Sequence, residues 1–91
     1  MDGNQQAIVD ALRSIPNVTV AVGHDDIIVG YQNRNYWFEV KNPDTAFKAD
    51  GMSLKKGAIK ASQEKIRRTW AGHYDIVWSL DQIQRKIGVK S

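Results

Sequence analysis

The sequence predicts an α/β fold in which helices flank a mixed β-sheet. Three observations carry that reading. Two apolar runs, "DIIVGY" and "NYWFEVK", are rich in β-branched and aromatic residues and are joined by a polar turn around Gln32 and Asn33. A helical stripe of Ile59, Ile66 and Trp70 separates them from a further apolar run, "YDIVWS". Near the N-terminus, Ile8, Leu12 and Ile15 recur at the i, i+4, i+7 spacing of one helix face.

The elements follow in order. A first helix runs from about Gly3 to Ile15, with Asp2 placed to cap it and Pro16 to stop it. "VTVAV", residues 18–22, reads as a short strand punctuated by Gly23 and His24. The two strands of the hairpin come next. Residues 42–57 have no clean period and contain Pro43, Gly51 and Gly57, so they read as a long loop. Loops of that length in a small domain are usually functional. Residues 58–72 form an amphipathic helix with Gly72 as the expected C-cap. A fourth strand spans residues 74–79, and a closing helix runs through "LDQIQRKIG" from a Ser79 cap to Gly88. A helix between the third and fourth strands allows those two to pair in parallel through a crossover.

Length and composition narrow the class. The 91 residues suggest one domain, 42% hydrophobic and 25% charged, with no cysteine. Disulfide staples and cysteine zinc sites are excluded, and the lack of cysteine fits a cytoplasmic protein. The N-terminus is polar and opens with an acid, unlike a signal peptide. No apolar run approaches the roughly 20 residues that span a membrane. The net charge is +3, but its distribution is uneven. From Lys41 to Gly72 there are eight Lys or Arg residues against three acids, Asp44, Asp50 and Glu64. Such a zone suits a polyanionic partner, although charge alone favours a solvated helix face.

Asp26, Glu39 and Lys41 interrupt segments that otherwise read as core strand. Buried charge is costly unless it is paired or holds a metal. Side chains alternate along a strand, so Glu39 and Lys41 share a face and Val40 takes the other. If the turn is centred between Gln32 and Asn33, paired residue numbers sum to 65 and Asp26 opposes Glu39. Two opposed carboxylates repel, and a divalent cation between them reverses that. The pair, with the Val40 carbonyl, offers the oxygen ligands that Mg²⁺ prefers, and Lys41 stands where it can polarise a water or a phosphate. A cross-strand salt-bridge network of the same three residues is the plain alternative.

At these residues the chain resembles the PD-(D/E)xK nuclease superfamily. Within it, the chain is most similar to the virus-type replication-repair nuclease (VRR-NUC) domain, in its stand-alone phage or prophage form. "GHDDIIVG" resembles that family's first strand, and "NYWFEVKNP" resembles the second, which ends in E-V-K. "KASQEKIRRTWAGHYDIVWS" resembles the glutamine-bearing helix and the last strand. The likeness covers roughly Gly23 to Gly88.

The resemblance implies a restriction-endonuclease-like αβββαβ core, one domain over residues 1–91, and Mg²⁺- or Mn²⁺-dependent hydrolysis of DNA. It assigns catalytic roles to Asp26, Glu39, Lys41 and Gln63, with Asp26, Glu39 and the Val40 carbonyl as metal ligands. Gln63 also stands out by itself, because it lies on or near the apolar stripe of its helix. Lys48, Lys55, Lys56, Lys60, Arg67 and Arg68 would hold phosphates. Stand-alone members suggest a homodimer that cleaves four-way (Holliday) DNA junctions. Two alternatives stay open: a nuclease of the same fold acting on flaps, nicks or single strands, and a DNA-binding module without catalysis.

Two departures from the family pattern matter. Asp25 stands where the family has proline. The first helix offers Gln5 and Gln6 where family members often carry glutamate. Gln5, three residues before Ile8 and four before Val9, is the better-placed metal ligand. A neutral amide binds metal more weakly than a carboxylate, which weighs against a second metal. His24 and His73 read as structural or surface residues. Trp37, Phe38, Trp70 and Trp78 read as core, which leaves no exposed aromatic platform for single strands.

Overall fold

The computed structural model describes residues 3–24, 26–42 and 59–89. Asp2, Asp25 and nearly all of the expected long loop, with Lys48, Lys55 and Lys56, lie outside the described residues. The chain runs α1 (Gly3–Arg13), β1 (Thr19–Val22), β2 (Asp26–Tyr31), β3 (Arg34–Val40), α2 (Ala61–Thr69), β4 (Tyr74–Val77) and α3 (Leu80–Ile87). The expected α/β class and element order are both present.

One sheet in the order β1-β2-β3-β4 organises the molecule. The first two pairings are antiparallel and β3 pairs with β4 in parallel. The β2–β3 turn is two residues long, and Gln32 (φ 53°) and Asn33 (φ 63°) both take the left-handed conformation. Positive φ at both central residues matches the strand twist and closes a tight hairpin. That turn sets the register, which pairs Ile27 with Phe38, Val29 with Tyr36 and Asp26 with Glu39.

Alternation then divides the sheet into two faces. Ile27, Val29, Tyr36, Phe38, Val40 and Val77 point one way. They form the core with Ile8, Val9 and Leu12 of α1 and Ile83 and Ile87 of α3. Fully burying side chains of this size contributes about 1.5–3 kcal/mol each. Lys86 of α3 pairs with Asp75 of β4 on this side. The opposite face carries Asp26, Ile28, Trp37, Glu39, Tyr74 and Ile76, and α2 covers part of it. Helices therefore lie on both sides of the sheet. Among the described residues no helix is long and apolar enough to cross a membrane.

The helix ends show what the sequence pattern misplaces. α1 stops at Arg13 rather than Ile15, because the amides of Ser14 and Ile15 tighten onto Ala11 and Leu12 carbonyls (3.2 and 3.0 Å) ahead of Pro16. α2 is shorter than expected at both ends, and Gly72 is not its cap. The chain leaves the helix at Trp70 in an extended conformation (φ −69°, ψ 126°). This exit brings the Trp70 ring edge-on to Trp37, with centroids 5.1 Å apart. α3 ends as expected: the Ser79 hydroxyl accepts from the Gln82 amide, and Gly88 takes the left-handed conformation at φ 90°.

Candidate active site

Asp26 begins β2 and Glu39 lies near the end of β3, directly across from it on the α2 face. Glu39 is only 8% exposed, so its charge must be compensated locally. Gln63 of α2 donates from its amide nitrogen to Glu39 Oε1 at 2.8 Å. Lys41 Nζ stands 3.7 Å from the same oxygen. The other end of the Gln63 amide accepts from the Lys60 backbone N–H at 3.1 Å, at the first turn of α2. A carboxylate only accepts and a backbone N–H only donates, so these two partners fix which way the amide points. One side chain thus caps α2 and holds Glu39. This explains a polar residue on that stripe.

Asp26 is held differently. The Trp37 indole N–H donates to Asp26 Oδ2 at 2.7 Å. Trp37 lies two residues from Glu39 on the same face, within reach of the diagonal position across the pair. The other oxygen, Oδ1, lies over Gly23, where a side-chain carbon would collide with it. Glycine at 23 leaves that carboxylate its room. Trp37 was expected in the core. It is half-buried instead, and its polar edge faces the acid.

Tyr74 is a member of the site that sequence reasoning missed. It pairs with Trp37 across the parallel β3–β4 ladder and stacks on it edge-to-face at 4.6 Å. Burial pushes its phenol above the usual value, and the charges of Glu39 and Asp26 push it further, with Arg67 opposing. Both carboxylates therefore act on one point on this face. The only sequence signal was its place at the start of the strand beside E-V-K.

The start of α1 lies at the same end of the sheet. Asn4 donates to the Lys41 carbonyl (3.0 Å) and to the Trp78 carbonyl (3.4 Å). Gln5 is buried at 2% exposure, whereas Gln6 is exposed and bonds Asp10 along the helix. Of the two glutamines, Gln5 is the enclosed one. Among the expected phosphate-binding residues, Lys60, Arg67 and Arg68 are exposed on or beside α2, and Arg67 is paired with Glu64 at 2.7 Å.

Among the described residues no three Asp, Glu or His side chains gather as a ready-made metal cage. The two opposed acids are oxygen donors, as is the Val40 carbonyl between Glu39 and Lys41. This set fits a hard cation that keeps several waters, such as Mg²⁺ or Mn²⁺, and does not fit a softer nitrogen- or sulfur-preferring ion. Comparison with protein-family models, curated proteins and solved structures finds no match to this chain.

Proposed function

We propose that the protein is a Mg²⁺- or Mn²⁺-dependent DNA endonuclease of VRR-NUC type, with a restriction-endonuclease-like core, acting in the cytoplasm as a homodimer on four-way junctions. The observation that carries the reading is the pairing of Asp26 with Glu39 across β2 and β3, with Lys41 and Gln63 both directed at Glu39. A cation bound by Asp26, Glu39 and the Val40 carbonyl would activate a water and neutralise charge building on the phosphate. Gln63 keeps Glu39 oriented. Trp37 keeps Asp26 oriented. Lys41 neutralises charge at the scissile phosphate and assists proton transfer to or from the water. Lys60, Arg67 and Arg68 position the DNA through its phosphates.

A second reading, a DNA-binding module without catalysis, is favoured by one observation. Each acid already has protein partners, as in a structural network. A labelled four-way junction, a duplex and a flap, each with Mg²⁺, Mn²⁺ or EDTA, separate the two. Paired incisions on the junction that vanish with EDTA support the proposal. Lys41→Ala is expected to slow cleavage by about 10²- to 10⁴-fold, the usual range for losing a proton-transfer group. The Lys41–Glu39 pair is largely buried, so removing the ammonium also lowers the melting temperature, and cleavage is compared well below the variant's own transition. Binding without cutting under either metal would establish the binding module instead.

A further inference from the structure

Trp70 is 54% exposed and Ile28 is 46% exposed, which corrects the expectation that Trp70 is core. Trp70 meets Trp37 of the sheet, but α2 buries none of its residues fully. Beyond its end the two side chains border a hollow of about 210 Å³, lined by Ile28, Asn35, Trp37, Trp70, Gly72 and His73. No acid lines it. The wall it shares with the candidate active site is Trp37, whose ring meets Trp70 edge-on while its N–H holds Asp26. The helix leading into Trp70 carries exposed Lys65, Arg67 and Arg68, of which Arg67 is paired with Glu64 of the same helix.

We infer that this hollow is a base-stacking subsite for DNA, in which Trp70 stacks on one unpaired base of a strand. The inference rests on the nuclease reading for its meaning but not for its test. Three features select the occupant. An exposed indole offers a flat π-face, which every base can use. Asn35 and His73 add polar groups at the rim for a base edge. Cations on α2 lie along the path of a backbone, where a partner protein of mixed charge would gain less. Because Trp37 joins the hollow to Asp26, a base seated on Trp70 brings its adjoining phosphodiester to the acids. Fully paired duplex cannot use the subsite, since its bases are stacked. A strand at a branch point, flap or gap can. The subsite therefore selects DNA carrying unpaired bases next to the cut.

The test is binding in EDTA, where nothing is cut, of a labelled single strand, a duplex, and a junction with unpaired bases at its centre. Trp70→Ala should weaken the single strand and the open junction about tenfold, within the usual range for losing one stacked base. Duplex binding should be unchanged, and Trp70→Phe should restore most of the loss. An abasic residue in the strand should reproduce the loss with wild-type protein and add little to Trp70→Ala. Equal weakening of duplex and single strand, no effect of Trp70→Ala, or no DNA binding at all would each overturn the inference. So would a wild-type dimer that Trp70→Ala converts to monomer in sedimentation, since a second copy would then cover the hollow. Cleavage with Mg²⁺ run on the same proteins separates this inference from the nuclease reading. Trp70-dependent binding without cutting keeps the subsite and rejects the nuclease. Cutting that is indifferent to Trp70 does the reverse.

Discussion

At the scale of single residues, the site is a set of side chains each with two jobs. Gln63 caps α2 and orients Glu39, and Trp37 packs between Tyr74 and Trp70 while orienting Asp26. Trp37→Phe separates the two jobs of Trp37, because a ring remains and the N–H does not. Losing a support of this kind typically weakens a metal site about 10- to 100-fold. The expected outcome is a matching rise in the Mg²⁺ concentration for half-maximal cleavage, with a parallel fall in affinity when the metal is titrated calorimetrically. An unchanged metal requirement would show that Asp26 needs no such support. Tyr74 gives a pH signature. Its phenol is raised above the ordinary value near 10 by burial first and the two acids second, so the folded chain holds that proton more tightly than the unfolded chain. The stability tied to that proton is complete below about pH 10 and is lost as pH rises through the raised value. Melting curves taken between about pH 8 and 11 should therefore fall more steeply for the native protein than for Tyr74→Phe. Equal slopes would mean that neither burial nor the acids raise the phenol in the folded chain.

At the scale of elements, several segments of the fold have ends that are chemically specified. α3 is the clearest case: Ser79 Oγ accepts from the Gln82 amide and Gln82 Oε1 accepts from the Ser79 amide. Ser79→Ala should cost about 1 kcal/mol, the ordinary value of such a cap, and leave cleavage untouched, since α3 packs on the face away from the acids. Denaturant unfolding and the junction assay, run together, check both halves of that statement. The elements whose ends are set by local chemistry were the ones legible in the sequence. Ser79, Gly88 and the Gln32–Asn33 turn each carry their signal in their own residue types, and the turn fixes the Asp26–Glu39 register. What was not legible depends on neighbours distant in sequence. Trp70 has core chemistry and core spacing, but the wall facing it is the exposed Ile28 rather than another helix. Gly72 has the composition of a cap, but the chain turns out two residues earlier to bring Trp70 against Trp37. The donor role of Trp37 follows from a diagonal pairing that composition cannot display.

At the scale of the whole molecule, the question is how one small chain could cut a substrate with two equivalent strands. The Asp26–Glu39 pair occurs once per chain, so symmetric resolution of a junction requires two copies acting together or one copy acting twice. A two-fold dimer presents identical sites to opposing strands and couples the two cuts within one bound complex. A monomer leaves them independent. The two cases diverge when the active protein is mixed with an excess of Lys41→Ala, whose Glu39 retains its Gln63 contact and whose strands lose no core residue. In a dimer that exchanges subunits, most active chains then sit beside an inactive partner, and each complex makes one cut. The expected product is a singly nicked junction that accumulates in place of paired incisions. If the chain acts alone, the inactive variant only competes for junctions, so the overall rate falls while the ratio of nicked to doubly cut product follows the amount of active protein. Gels that resolve the two products, with sedimentation at the same concentrations, decide the matter. A monomer that yields no excess of nicked junctions would remove the resolving role while leaving the acids, Lys41 and Gln63 as a nuclease site for flaps or single strands.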